Sequence, residues 1–310
     1  MPRKIRIITS SFATLESTKP PYNLHSPDPE ENISLASEIL TSAISYKPDV
    51  VLLPETFKLA GVSYDSAATE AEPLPGPVFN LLAKFAKTGN TNIVAGHMVS
   101  EDDKIRNKAI ILDRKGSLVG SYDKKYPVEE EIRRGVYPGK NNPVFDLDFG
   151  RVGVAVCFDL NWREIWMDFA RQNIDLALWI SAYEGGFPLQ SYAWEFQYPI
   201  VSSVWPYHAR VVDITGRIVC STSRWSRIAF YELNLDRALF HTDLQMQHIS
   251  QIQKKYGDGV TLTSFTEEHL FLLENNMEDK SINDIIAEFG LIPYREYIDR
   301  CTKFRDKYIK

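Results

Sequence analysis

Cysteine is scarce in this chain. Its 310 residues include three, Cys157, Cys220 and Cys301, too few and too far apart for a disulfide framework. That scarcity points to a reducing, cytosolic compartment. No apolar run reaches the ~20 residues a membrane-spanning helix needs, and the basic N-terminus lacks the apolar core of a signal peptide. Positive charge is not in excess either. The 35 Lys and Arg against 41 Asp and Glu leave a net charge of −6, so neither nucleic acid nor an anionic membrane is expected as the main partner. Gly-x-Ser-x-Gly, Gly-x-Gly-x-x-Gly and P-loop sequences are all missing, which leaves serine-hydrolase, dinucleotide and P-loop readings unsupported. The six histidines never fall in His-x-His or His-Glu-x-x-His spacing, so no zinc site is expected. What is present is an ordinary globular composition, 44% hydrophobic and 25% charged, with enough length for a substantial core.

Short apolar runs alternate with helical patterns. Lys4 to Phe12 reads as a buried strand, the Pro-rich stretch from Lys19 to Pro29 as loop, and Glu30 to Tyr46 as a helix. Asp49-Val-Val-Leu-Leu-Pro54-Glu55 reads as a strand stopped by proline, with a carboxylate at its C-terminal end. A helix over 77–88, a strand over 92–98 and a hairpin over 108–122 follow, then a charged loop over 123–143. Strands over 152–156 and 175–180 flank a helix over 163–172. A second hairpin turns at Ile214-Thr-Gly216. The alternation predicts an α/β protein, and the hairpins make its sheets mixed. From about residue 236 strand signals fade. Residues 1–240 are therefore read as one domain and 241–310 as a helical C-terminal extension, with Leu270, Leu272, Leu273, Ile282, Ile285, Ile286 and Phe289 on apolar faces that pack on the core or a neighbouring subunit.

The most informative segment is Arg151-Val-Gly-Val-Ala-Val156-Cys157-Phe158-Asp159. A strand runs out at Cys157 and a helix starts soon after, the geometry of a nucleophile elbow with Cys in place of Ser. A nearby helix N-terminus lowers a thiol pKa; the competing reading is a buried, inert Cys. Glu55 at a buried strand end has a carboxylate whose desolvation suits a general base, against the alternative of a rim salt bridge. Lys124, in Tyr122-Asp-Lys-Lys-Tyr126, would place an ammonium near a developing oxyanion, against the alternative of a solvated Lys124-Lys125 pair.

In order, Leu53-Pro54-Glu55, Tyr122-Asp123-Lys124 and Gly153-Val-Ala-Val-Cys157-Phe-Asp159 resemble the signature of the nitrilase superfamily of carbon–nitrogen hydrolases. The resemblance covers roughly residues 4–236. It implies a four-layer αββα sandwich with mixed sheets, working as a homodimer or higher homo-oligomer. It also implies a second glutamate in the loop after the lysine. Glu131 fits that spacing, while the adjacent Glu129 and Glu130 leave a solvated acidic run as the alternative. The implied chemistry is a Cys157 thiolate attacking an amide or nitrile carbon, with Glu55 as base and then acid, and Lys124 and the Phe158 N–H on the oxyanion. No metal or organic cofactor is implied. Cys157-Phe-Asp-Leu-Asn-Trp-Arg-Glu164 resembles the amidase and carbamoylase branches more than the nitrile branch, so a small-molecule amide or N-carbamoyl compound is the expected substrate. Nitrile hydrolysis and a non-catalytic family member are the alternatives. Trp179, Ser181, Ala182 and Tyr183 are the expected substrate-binding residues, with Trp205 as a further aromatic wall and Arg133 and Arg134 as carboxylate partners. Arg163 and Glu164 are expected to orient the Cys loop.

Overall fold

The computed structural model describes residues 3–12, 28–62 and 69–309. The Pro-rich stretch before Asp28 and part of the 56–73 loop lie outside the described residues. By contacts the chain divides into two compact units, Arg6–Tyr231 and the remainder.

The larger unit is built on two six-stranded sheets. In the first, β1 (Lys4–Ser10), β2 (Val50–Leu52) and β3 (Asn92–Glu101) run parallel. A meander then adds β4 (Lys104–Leu112) and β5 (Leu118–Asp123). Strand β12 (Ile228–Asn234) closes the other edge. Helices α1 (Pro29–Ile44) and α2 (Pro77–Gly89) bury Ala36, Ile39, Leu40, Ala43, Val78, Leu82 and Ala86 against this sheet. Asp28 and Glu31 form a capping box that starts α1, satisfying orphan N–H groups at its end.

The second sheet runs β11 (Ile218–Ser221), β10 (Arg210–Val212), β9 (Ile200–Val204), β8 (Leu176–Ser181), β7 (Gly150–Val156), β6 (Val144–Leu147). Its centre, β7-β8-β9, is parallel. Every residue from Val152 to Val156 and throughout β8 and β9 is buried, as strands covered on both faces require. Helices α4 (Arg163–Arg171) and α5 (Phe187–Phe196) cover it through Ile165, Trp166, Phe169, Leu189, Ala193 and Phe196. The two sheets meet along a polar seam. Ser203 Oγ donates to Ser10 O at 2.8 Å and Ser10 Oγ donates to Leu52 O at 2.7 Å. Helices, sheet, sheet and helices thus stack as the expected αββα sandwich, whose mixed sheets follow from the two hairpins.

The smaller unit corrects the expectation of a helical extension. Strands β13 (Arg237–His241), β14 (Val260–Phe265) and β15 (Leu270–Asn275) form an antiparallel sheet, packed by α6 (Met246–Tyr256) and α7 (Ile282–Phe289). Helix α8 (Tyr294–Arg305) ends it. Leu270, Leu272 and Leu273 lie on a strand, not a helix. Four consecutive apolar residues, 270–273, are all buried, and a run buried on both faces carries no period that separates strand from helix. The unit boundary also falls nine residues before the expected 240/241 division.

Candidate active site

Two backbone kinks present the site. Strand β2 leads through Leu53 and Pro54 to Glu55, and Thr56 then turns with φ 36°. Gly96 on β3 passes so close that a Cβ there would lie 2.5 Å from both Glu55 Cα and Thr56 N, so only glycine fits. The Glu55 carbonyl accepts the Trp205 indole N–H at 2.6 Å. Across the sheets, β7 ends at Val156 and Cys157 sits at φ 50°, a left-handed conformation costly for a non-glycine residue. The geometry around it holds that conformation in place. Trp179 Nε1 donates to Cys157 O at 3.0 Å. Asp159, wholly buried, accepts the Val156 N–H at 3.0 Å, the Tyr122 hydroxyl at 2.8 Å and the Tyr126 N–H at 2.8 Å. Burial pushes the Asp159 carboxyl up to about 6, against the pull of these three donors.

Glu55, Lys124 and Glu131 are 2%, 1% and 1% exposed, so their charges must answer one another. Lys124 Nζ donates to Glu55 Oε1 at 2.8 Å and to Glu131 Oε2 at 2.6 Å. Asn107, at a β4 position paired with Met98, donates through Nδ2 to the same Glu55 Oε1 at 2.8 Å and to Glu131 Oε1 at 2.9 Å. The four side chains close a hydrogen-bonded ring. Glu55 Oε2 accepts the Ala182 N–H at 2.9 Å, and Glu131 Oε2 accepts the Val128 N–H at 2.8 Å. The Cys157 thiol lies within reach of the Glu55 charge. Burial, then the Glu55 charge, push the thiol well up. The expected lowering by a helix N-terminus is thereby overturned: the following turn is a short 3-10 stretch, Cys157–Asn161, and burial, with the neighbouring carboxylate, outweighs it. For Lys124, burial opposes the charge, but Glu55, Cys157 and Glu131 together hold its ammonium well above the usual lysine range.

The remaining expected residues divide. Ala182 reaches Glu55 through its backbone. Tyr183 is half-exposed and packs edge-on to Trp179. Phe158 lies at the surface beside Trp162. Trp179 and Ser181 are wholly buried: one holds the Cys157 carbonyl, the other accepts the Tyr183 N–H at 3.0 Å. Both therefore support the site from beneath. Glu129 and Glu130 pair with Arg133 and Arg134 four residues on, outward on α3 (Glu129–Arg133). Arg163 pairs with Glu195 on α5, not with the Cys loop, whereas Glu164 accepts the Tyr126 hydroxyl at 3.2 Å. Asn107 was missed by the sequence reading. Its signal was an amide between Arg106 and Lys108 on a strand, where Asn is disfavoured.

The carbon–nitrogen hydrolase family model matches residues 18–239. The chain is 27% identical over 243 residues to the omega-amidase NIT3 of Saccharomyces cerevisiae, covering 67% of this chain and 83% of that protein. It is 25% identical over 201 residues to a protein of Schizosaccharomyces pombe named as a hydrolase. That match covers 62% of this chain and 59% of the relative, so the chain spans about three-fifths of that relative's length. Among solved structures, Saccharomyces cerevisiae Nit3, a member of branch 10 of the nitrilase superfamily, superposes with TM-score 0.65 at 21% identity, over 82% of this chain and 94% of that one. A family-model match over residues 18–239 means that the chain belongs to the carbon–nitrogen hydrolase family.

Proposed function

We propose that the chain hydrolyses a non-peptide amide or N-carbamoyl bond of a small molecule through a Cys157 thioester. The observation that carries this reading is the ring of Glu55, Lys124, Glu131 and Asn107 against the Cys157 thiol. The thiol is held protonated at rest, so its proton must leave as attack begins. Glu55 Oε1 already accepts two donors and Oε2 only one from the protein backbone, which makes Oε2 the oxygen that takes the proton. The thiolate attacks the carbonyl carbon. Lys124 has three N–H donors, two of them engaged by carboxylates, and the third is available to the developing oxyanion together with the Phe158 N–H. As the tetrahedral adduct collapses, Glu55 returns the proton to the leaving amine or ammonia. It then deprotonates a water that cleaves the thioester, giving the acid and restoring the thiol.

The sequence after Cys157 and the relatives named as omega-amidases favour an amide over a nitrile. Residues 241–310 are assigned to packing against a neighbouring subunit of a homo-oligomer. Within them α8 buries no residue and leaves Ile298 and Phe304 exposed. Truncation after Asp236 should reduce the number of chains per particle in light scattering. A reducing cytoplasm fits the three unpaired cysteines. The functional test is ammonia release from a panel of primary amides, N-carbamoyl compounds and nitriles. Turnover of amides or N-carbamoyl compounds that vanishes in Cys157→Ala supports the reading. Turnover confined to nitriles, or retained by Cys157→Ala, ends it.

A further inference from the structure

We infer that Asn107 is a positioning residue for proton transfer, fixing which carboxylate of the buried pair works as the base. This rests on the thioester reading above and extends it. The Asn107 amide has two N–H donors, and both are engaged, one by Glu55 Oε1 and one by Glu131 Oε1. Asn107 is 1% exposed, so no water shares that duty from outside. Its Oδ1 is buried and accepts no hydrogen bond. Leaving a carbonyl oxygen unpaired costs stability. The amide accepts that cost because turning over would aim its oxygen at two carboxylates. The arrangement is therefore matched to two ionised glutamates, and it disfavours a proton on either Oε1.

The consequence is directional. Glu131 has both oxygens tied: Oε1 by Asn107, Oε2 by Lys124 and the Val128 N–H. Glu55 has Oε1 doubly tied by Lys124 and Asn107, and its Oε2 carries the Ala182 N–H alone. Of four carboxylate oxygens, the one with room for a proton is the one on the residue that meets the thiol. Asn107 also sets the lysine from behind, because its backbone carbonyl accepts the Lys124 N–H at 2.8 Å. One residue thus registers the backbone of the cation and the orientation of both anions. It touches no reacting atom.

The test uses the full chain and iodoacetamide, whose reaction needs only a working thiol. The rate constant for Cys157 alkylation is measured against pH for wild type, Glu55→Gln, Asn107→Leu and Asn107→Asp, with Cys220 and Cys301 changed to Ala in every case. Losing a donor to a carboxylate favours its neutral form, so the acid limb of the Asn107→Leu profile should move to higher pH and its rate at neutral pH should fall at least ~10-fold. Asn107→Asp, which adds a third buried acid, should fall further. Circular dichroism and melting accompany each variant, and Asn107→Ser is read in place of any that does not fold. A purely structural role would lower the melting temperature while the folded protein kept the wild-type profile; that result overturns the inference. If Glu55→Gln is slowed but Asn107→Leu is not, the thioester reading stands and the role of Asn107 falls. If Glu55→Gln also matches wild type, Glu55 is not the base and both fall.

Discussion

Lys124→Met removes the one cation between two buried carboxylates and keeps the volume of the side chain. Lys124 Nζ lies 2.8 Å from Glu55 and 2.6 Å from Glu131, with all three groups at or below 2% exposure. Breaking a buried ion pair by deleting one partner costs about 3–5 kcal/mol, because the remaining charge has no answer. Here two charges remain. The variant can restore the original balance of one negative charge by binding a single proton between them, as paired carboxylates do. At pH 5 protons are plentiful, and the deficit should be about 1 kcal/mol or less. At pH 8 the proton is costly to capture, and the deficit should approach the full ~3–5 kcal/mol. For a unit of this size that is a melting temperature lower by roughly 6–20 °C at pH 8. The sign follows from linkage: the folded variant holds a proton that its unfolded chain has lost, so stability falls as pH rises. Differential scanning calorimetry at both pH values is the assay, with Lys125→Met as control. A deficit equal at pH 5 and pH 8, or under 1 kcal/mol at both, would refute the charge argument. Catalysis should fall by at least ~10²-fold at either pH, the scale of a lost oxyanion donor.

Cys157→Ala and Cys157→Gly should both abolish turnover, but at φ 50° the glycine variant should be the more stable by about 1 kcal/mol, read from paired melting curves. Gly96→Ala should destabilise the protein by roughly 1–3 kcal/mol through overpacking on the Glu55 backbone and lower kcat with it; a silent substitution would mean that the β3 approach is not tight. Glu131→Gln should impair kcat strongly while Glu129→Gln and Glu130→Gln stay near wild type, and equal small effects at all three would return the acidic run to solvent. Glu72 gives a pH prediction. Burial works against its charge, yet the His97 ring, Lys58 Nζ at 2.8 Å and the Val78 N–H at 2.8 Å hold its carboxyl down at about 2. A depressed carboxyl stabilises the fold above its ordinary value near 4.5, and that contribution is lost as pH falls towards 2. Denaturant unfolding between pH 6 and pH 3 should therefore show an acid slope that Glu72→Gln flattens.

The site was legible in the sequence where a single residue carried its own context. Glu55 follows an apolar strand and a proline, and Cys157 ends another, so strand-end geometry alone put both at the ligand-binding edge of an α/β sheet. Glu131 was singled out from Glu129 and Glu130 by the spacing that the family resemblance implies, but the physical reason is three-dimensional. One turn of α3 faces Glu131 inward to Lys124 and turns its neighbours towards arginines outside. The thiol was misjudged for a related reason. A helix start can be read from sequence, but the balance between burial, the Glu55 charge and the Lys124 charge depends on distances across two sheets. The C-terminal unit failed differently. Val260-Thr-Leu-Thr263 does alternate as a half-buried strand should, but its partner, 270–273, is apolar throughout and gave no period to pair with it. Asn107 shows the limit most plainly. An amide inside a strand looks like a weak residue for that position until the ring it closes is seen, because the benefit belongs to Glu55 and Glu131, 52 and 24 residues away in the chain. Local preference is violated there for a long-range hydrogen bond, and such a violation marks a functional position more reliably than agreement with the pattern does.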